Sequence, residues 1–282
     1  MRRWAVEFLI GIWKLSIVRA CSIAGLSRRA WYRGDPAKRV AKGDAPVIDA
    51  LNEIIGEHNR WGFWMCFHRL RNLGHKWNHK RVWRIYKAMK LNLKRRTKRR
   101  LPDREPAPLG VPAEVNNTWS FDFMSDTLYS GLRFRVLNII DEGVREALEI
   151  LVDTSITAKR LVRVLDLLKS QRGVPKAIRV DNGPEMTAQV FADWCSENDV
   201  RIDYIEPGKP NQNAYIERFN RSYREEVLDP HIFSKLSQVR DLSWAWLISY
   251  NEERPHSSLG NIPPAEFKRR ILAENSILEL CH

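Results

Sequence analysis

Between Trp119 and Ile205 the apolar residues change their period, and this limits the possible folds more than any other feature of the chain. Trp119–Asp126, Arg133–Ile140 and Ala147–Val152 are apolar-rich runs of strand length. Turn signals separate them at Tyr129-Ser130-Gly131 and around Asp141-Glu142-Gly143. Helical spacing then takes over from Thr157 to Arg172, with Leu161, Leu165 and Leu168 on one face and Gly173-Val174-Pro175 as the stop. A fourth strand over Lys176–Val180, a helix over Thr187–Asn198 and a fifth strand over Arg201–Ile205 follow. Three strands in succession, then helix and strand in alternation, predict a mixed α/β sheet covered by helices. A last long helix over Lys235–Asn251 is expected to put Trp244 and Trp246 in the core.

Two aspartates are poorly placed for that pattern. Asp122 lies inside the first strand, and Asp181 ends the fourth, just before the turn signal Asn182-Gly183. A carboxylate in such a position needs something to offset its desolvation. A divalent cation is the usual partner, and Mg²⁺ needs only a few hard oxygen ligands because it retains several waters. Downstream, Pro207, Gly208 and Pro210 break regular structure, and Asn213 is placed to cap a helix. Ile216, Phe219, Tyr223 and Val227 give that helix an apolar face, and Glu217, Arg221 and Arg224 lie on its flank at i, i+4 and i+7. Taken alone, this flank reads equally as a surface ion-pair stripe.

Charge divides the chain. Residues 1–104 carry 26 Lys and Arg against 7 Asp and Glu, a net of +19; residues 105–282 carry 21 against 27, a net of −6. The basic part therefore reads as a separate polyanion-binding region. Residues 16–33 have the pattern of two short helices around Gly25, a helix-turn-helix shape. Further helices are expected over Pro46–His58 and Met65–Leu73, and over His79–Met89 behind an Asn78 cap. On the last of these Val82, Ile85, Tyr86 and Met89 face a core, leaving Lys80, Arg81, Arg84 and Lys87 outside, as on a helix that lies in a DNA groove or simply on a solvated basic face. His58, Cys66, His68, His75 and His79 lack the paired-cluster spacing of a zinc site. Residues 94–104, followed by Pro106, Pro108 and Pro112, read as an extended basic linker able to track a phosphate backbone.

No apolar run is long enough to span a membrane. The opening Met1-Arg2-Arg3 and its apolar stretch imitate a signal peptide, but Glu7 interrupts the stretch, and Lys14 and Arg19 follow closely. Cys21, Cys66, Cys195 and Cys281 show no paired spacing and read as reduced cytosolic thiols.

Asp122, Asp181 and Glu217, with 35 residues between the last two, resemble the DDE triad of retroviral-type integrases and bacterial transposases, and Arg224 matches the basic position of that group. The chain resembles most the orfB-type transposases of the bacterial insertion-sequence family numbered three. The matching segments are Thr118–Asp122, Arg179–Gly183, Pro207–Asn220, and Tyr250–His256 through Pro264–Phe267, within a resemblance that spans roughly residues 16–270. It implies a ribonuclease-H-like five-stranded sheet over residues 114–270, preceded by a basic helix-turn-helix-like region at 1–93 that is helical and metal-free. A linker at 94–113 and a tail at 271–282 complete the expected layout.

The implied chemistry is strand cleavage and strand transfer of an insertion sequence, by a copy-out route through a circular intermediate. Two Mg²⁺ (or Mn²⁺) ions would be held by Asp122, Asp181 and Glu217. Lys209, Asn211 and Gln212 on the Gly/Pro loop are expected to grip DNA, with Arg221 and Arg224 as phosphate clamps and Lys80, Arg81 and Arg84 as contacts of the basic region. The expected partners are the element's ends and the target DNA, with the protein assembled as a homo-oligomer on DNA in the bacterial cytoplasm, at the nucleoid. The resembled family commonly fuses this polypeptide to an upstream frame that carries a leucine zipper. No heptad run occurs here, so an upstream product is expected as fusion or partner. Two other functions fit the residues: a DNA-binding regulator without catalysis, and a nuclease of the same fold that cannot join strands.

Overall fold

The computed structural model describes residues 2–32, 43–93, 112–206 and 213–280. Its centre is a five-stranded sheet of β1 (Thr118–Thr127), β2 (Arg133–Asp141), β3 (Ala147–Asp153), β4 (Ala177–Val180) and β5 (Arg201–Tyr204). The strand order is β3-β2-β1-β4-β5. The first three strands run antiparallel, as hairpin-length turns require, whereas β4 and β5 join parallel to β1 through helical crossovers. At the β2–β3 turn, a Cβ on Gly143 would come within 2.0 Å of the Glu114 carbonyl oxygen, so the turn signal there has a steric cause.

The alternation of strand side chains divides the core in two. On one face Trp119, Phe121, Leu137, Ile139 and Ile178 pack against α7 (Ala158–Arg172) and α8 (Gln189–Glu197). Thr157 caps α7 by accepting from the Arg160 N–H at 3.3 Å, and Gly173, at φ 82°, ends it. On the other face Met124, Phe134, Val136, Ile140 and Ile150 meet α9 (Ala214–Tyr223) and α10 (Leu236–Glu252). Each fully buried aromatic or branched aliphatic side chain here contributes about 1.5–3 kcal/mol of transfer free energy. A π-helical turn, Arg224–Leu228, follows α9 and turns both Val227 and Leu228 inward. A final helix, α11, spans Pro264–Leu280.

Ahead of the sheet the described residues form six helices: α1 (Arg2–Gly11), α2 (Ile17–Ile23), α3 (Arg28–Tyr32), α4 (Ala45–Glu57), α5 (Phe63–Asn72) and α6 (His79–Ala88). The pair expected over 16–33 is α2 and α3, turned at Gly25 with φ 62°. Asn78 caps α6, its side chain accepting from the Lys80 N–H at 2.8 Å. Helices α4–α6 share a core of Val47, Leu51, Trp61, Phe67, Leu70, Val82 and Tyr86. This unit docks on the sheet region through Glu253, which accepts from Arg69 Nη2 at 2.7 Å and lies 3.3 Å from His58 Nε2.

One expectation needs correction. Trp244 is 63% exposed, because α10 buries the stripe Val239, Ser243, Leu247 and Tyr250 and Trp244 lies off it; Trp246 does pack against that core. Helix α11 buries Ile271 and runs on to Leu280 within the segment expected as a tail.

Candidate active site

Asp122 sits mid-strand on β1, opposite Asn138 of β2, and its side chain faces α9 rather than the α7 side. The parallel ladder aligns Ser120 with Arg179, so two residues further on Asp122 and Asp181 come level at the point where β4 ends. Asp181 is exposed, and its Oδ1 accepts from the Gly183 N–H at 3.0 Å, which closes the Asp-Asn-Gly turn. Asn182 anchors the same turn by donating to the Ile205 carbonyl at 3.3 Å. Helix α9 buries Ile216, Phe219, Asn220 and Tyr223 and leaves Glu217 exposed on its flank, as the heptad-like spacing predicts.

The three acids share a field. Burial raises Asp122 from the usual carboxylate range to about 6, and the charges of Asp181 and Glu217 push in the same direction. Hydrogen bonds from the Phe123 N–H at 2.8 Å and from Asn220 Nδ2 at 2.6 Å partly offset this. Among the described residues no Lys or Arg is paired with Asp122, Asp181 or Glu217. Nor are the three drawn together into a group with all ligand atoms within 4.8 Å; among the described residues Glu57, His58 and Glu253 are.

Sequence reasoning missed the residues that hold Asp122 in place. Asn138 Nδ2 donates to Asn220 Oδ1 at 2.6 Å, and Asn220 Nδ2 donates onward to Asp122 Oδ2. Both asparagines are buried. The available signal was Asn220 itself, a polar residue one turn after Glu217 on the apolar face of the helix. Deeper in the sheet, Glu142, fully buried, takes a bond from Ser120 and pairs with Arg179 at 2.5 Å.

The basic candidates are placed as follows. Arg224 Nη1 donates to Asp126 Oδ2 at 3.1 Å and Nη2 to the Ser125 carbonyl at 3.0 Å, so the guanidinium is anchored four residues along β1 from Asp122. Arg221 is exposed on α9. Lys209, Asn211 and Gln212 lie outside the described residues. Asn213 precedes α9, but its side chain makes no capping bond, and its Oδ1 is buried without a partner. On α6, Arg81 and Arg84 hold Asp44 at 3.1 and 2.8 Å, whereas Lys80 is exposed.

A sheet of this order, with the first strand central and helices on both faces, has the ribonuclease-H-like architecture of integrase catalytic cores. Two matches to an integrase core domain family, over residues 112–210 and 198–264, lie on this region. An HTH-like domain family matches residues 43–99, on α4–α6 and downstream of the α2–α3 pair. A 39.2 kDa insertion element IS476 protein of Xanthomonas euvesicatoria is 39% identical over 94% of this chain and 76% of its own length. A 31.7 kDa insertion element IS407 protein of Burkholderia multivorans is 38% identical over 91% of this chain and 92% of its own. The HTLV-2 integrase catalytic core domain, solved with magnesium, aligns to 56% of this chain and 99% of its own with 16% identity and a TM-score of 0.43. The chain belongs to the orfB-type transposases of the insertion-sequence family numbered three, and DNA is its partner.

Proposed function

We propose that Asp122, Asp181 and Glu217 are the catalytic DDE triad, that they hold two Mg²⁺ (or Mn²⁺) ions, and that the transposase both cleaves and joins DNA strands. The observation that carries this reading is the electrostatics at Asp122: a shielded carboxylate facing two further acids, with amide donors around it and no basic partner among the described residues. This all-oxygen donor set suits a hard divalent cation. When bound, such ions stabilise charge on the attacking and leaving oxygens of an in-line phosphoryl displacement.

The chain's own residues set the stage for that displacement. Asn138 fixes the Asn220 amide, and Asn220 fixes one oxygen of Asp122, leaving Oδ1 with only a backbone donor. The Asp181 turn is held by Gly183 and Ile205. No side-chain nucleophile is required: hydrolysis at the element's end frees a 3′-hydroxyl, and that hydroxyl then attacks the phosphorus of a second DNA phosphodiester, forming a new ester and expelling that strand's 3′-oxygen as the leaving group. Arg224 would release Asp126 to clamp the DNA, joined by Arg221 and by Lys209, Asn211 and Gln212. Lys80 and the exposed faces of Arg81 and Arg84 would meet DNA from the basic region 1–93, with 94–113 as linker and 114–270 as catalytic domain. Among the described residues no helix is long and apolar enough to cross a membrane. The reading extends to a homo-oligomer on DNA, at the bacterial nucleoid, with an upstream-frame product as fusion or partner.

The test is a strand-transfer assay on DNA carrying the element's own ends, with Mg²⁺, Mn²⁺ or EDTA. Metal-dependent cleavage and joining are expected. DNA binding without either would mark a regulator, and cleavage without joining a nuclease.

A further inference from the structure

A cleft of about 390 Å³ opens between α5 and the sheet region, lined on the α9 side by Tyr215 and Arg218. Trp64 of α5 forms one wall, and Tyr215, Arg218, Arg145, Arg254 and His256 form the other. The charge in it is unbalanced. Arg254 is answered by Glu226 at 2.5 Å, but among the described residues neither Arg145 nor Arg218 has an acidic partner. Arg145 lies flat over the Tyr215 ring at 3.5 Å, with its Nε and Nη1 buried and without hydrogen-bond partners. His256 Nε2 is buried and unpartnered as well. Burial first, then the charges of Arg254, Arg218 and Arg145, push His256 down to about 3, so the imidazole stays neutral and the three guanidiniums dominate.

Two guanidiniums that lack a counter-charge in a partly enclosed cleft call for an anion. The walls specify which kind. A lone carboxylate would fill little of the volume and use none of the aromatic surface. Trp64, whose ring lies 5.9 Å from that of His68 and 6.2 Å from that of His79, is still 58% exposed and lines the cleft with the arginines. Aromatic faces beside guanidiniums suit a stacked base with its phosphate, and a base still inside a duplex cannot reach such a cleft.

We propose that this cleft receives one unpaired nucleotide of the DNA substrate, its phosphate against Arg145 and Arg218 and its base against Trp64. The site is separate from the three acids, and it draws the HTH-like helices and the catalytic sheet onto one strand. It rests on the chain acting on DNA but not on the triad. Binding is therefore measured in EDTA, where a failed nucleotide site leaves the triad reading untouched and a failed triad leaves this binding intact.

Full-length protein is titrated with a duplex bearing a short single-stranded overhang, and with the same duplex cut blunt. The parent should favour the overhang by on the order of tenfold, the scale of one base–aromatic stack. Trp64→Ala and Arg218→Ala, both at exposed positions, should each remove most of that preference and keep blunt-duplex affinity within a few-fold. 5-Bromodeoxyuridine in the overhang should crosslink to the peptide containing Trp64. Equal affinity of the parent for both DNAs overturns the proposal, and so does a preference that both variants keep. A variant that loses blunt-duplex binding to the same extent, or crosslinks confined to peptides outside the cleft, would also overturn it.

Discussion

The basic helical region and the sheet region treat a shielded aspartate in opposite ways. Asp44, whose side chain is 7% exposed, is gripped by Arg84 and Arg81, and these bonds, Arg84's first, hold its carboxyl below the usual range. Asp122 has no such partner; burial and two neighbouring acids push it up. The first arrangement is complete within the protein and ties α6 to the start of α4. The second is incomplete, and the fold has spent several buried groups, Asn138 and Asn220 among them, on holding it so. Structural stability resides in the satisfied carboxylate, and the proposed catalytic role falls to the unsatisfied one.

Replacing each acid separates the two cases. Asp122→Asn, Asp181→Asn and Glu217→Gln should each abolish cleavage and joining in the strand-transfer assay, and leave DNA binding largely intact. In EDTA these variants should melt no lower than the parent, since each removes a like-charge repulsion. Near-parental joining by any one of them would take that residue out of the site.

Asn220→Ala probes the support rather than the ligand. It should weaken the metal dependence of activity by about 10–100-fold, the usual scale for an outer-shell partner, so that activity recovers at high Mg²⁺. If the metal titration is unmoved, the Asn138–Asn220 relay is packing alone. For Arg224, loss of a charge-assisted contact predicts a fall in joining of roughly tenfold or more in Arg224→Ala, and a smaller fall in Arg224→Lys, which keeps charge without the fork. Equal rates for the two would mean that geometry at this position is irrelevant.

The smallest effect is expected at Asp44. Its arginines are 37% and 50% exposed, so solvent screening limits the loss in Asp44→Asn to about 1–2 kcal/mol of unfolding free energy, with activity otherwise normal. The sign with pH follows from the depressed carboxyl. Its contribution is fully present above the unfolded carboxylate range near about 3.9 and disappears as pH falls through the lower folded value. Denaturant curves at pH 7 and pH 3 should therefore differ more for the parent than for the variant.

Much of this contrast was legible in the sequence on one side only. Asp122 and Asp181 stood out because a strand pattern makes a carboxylate costly, and Glu217 because α9 shows a clean apolar stripe beside it. The β1–β5 spans agree with their expected limits to within a residue or so, since periodicity and turn residues are local properties. Asn138 and Asn220 were invisible as a pair: they are 82 residues apart and meet only where α9 packs across β1 and β2. The acceptors of Arg224 and the crowd of arginines around His256 are likewise products of tertiary packing. Trp244 misled because a large aromatic ring suggests burial, whereas helix phase decides it.

The short ladder between β1 and β4 has a consequence of its own. The two strands pair only over Thr118–Ser120 and Ala177–Arg179, whereas β1 runs on to Thr127. The sheet is thus a fork whose tines part where Asp122 and Asp181 stand. One strand continues as a rigid rail braced by β2, and the other bends away into a turn. Beyond Arg179 the separation of the two carboxylates is set by that turn and its hydrogen bonds, not by a shared ladder. A change that extended the β1–β4 ladder past Arg179 would bind the two carboxylates to the fixed spacing of paired strands and leave all three acids present.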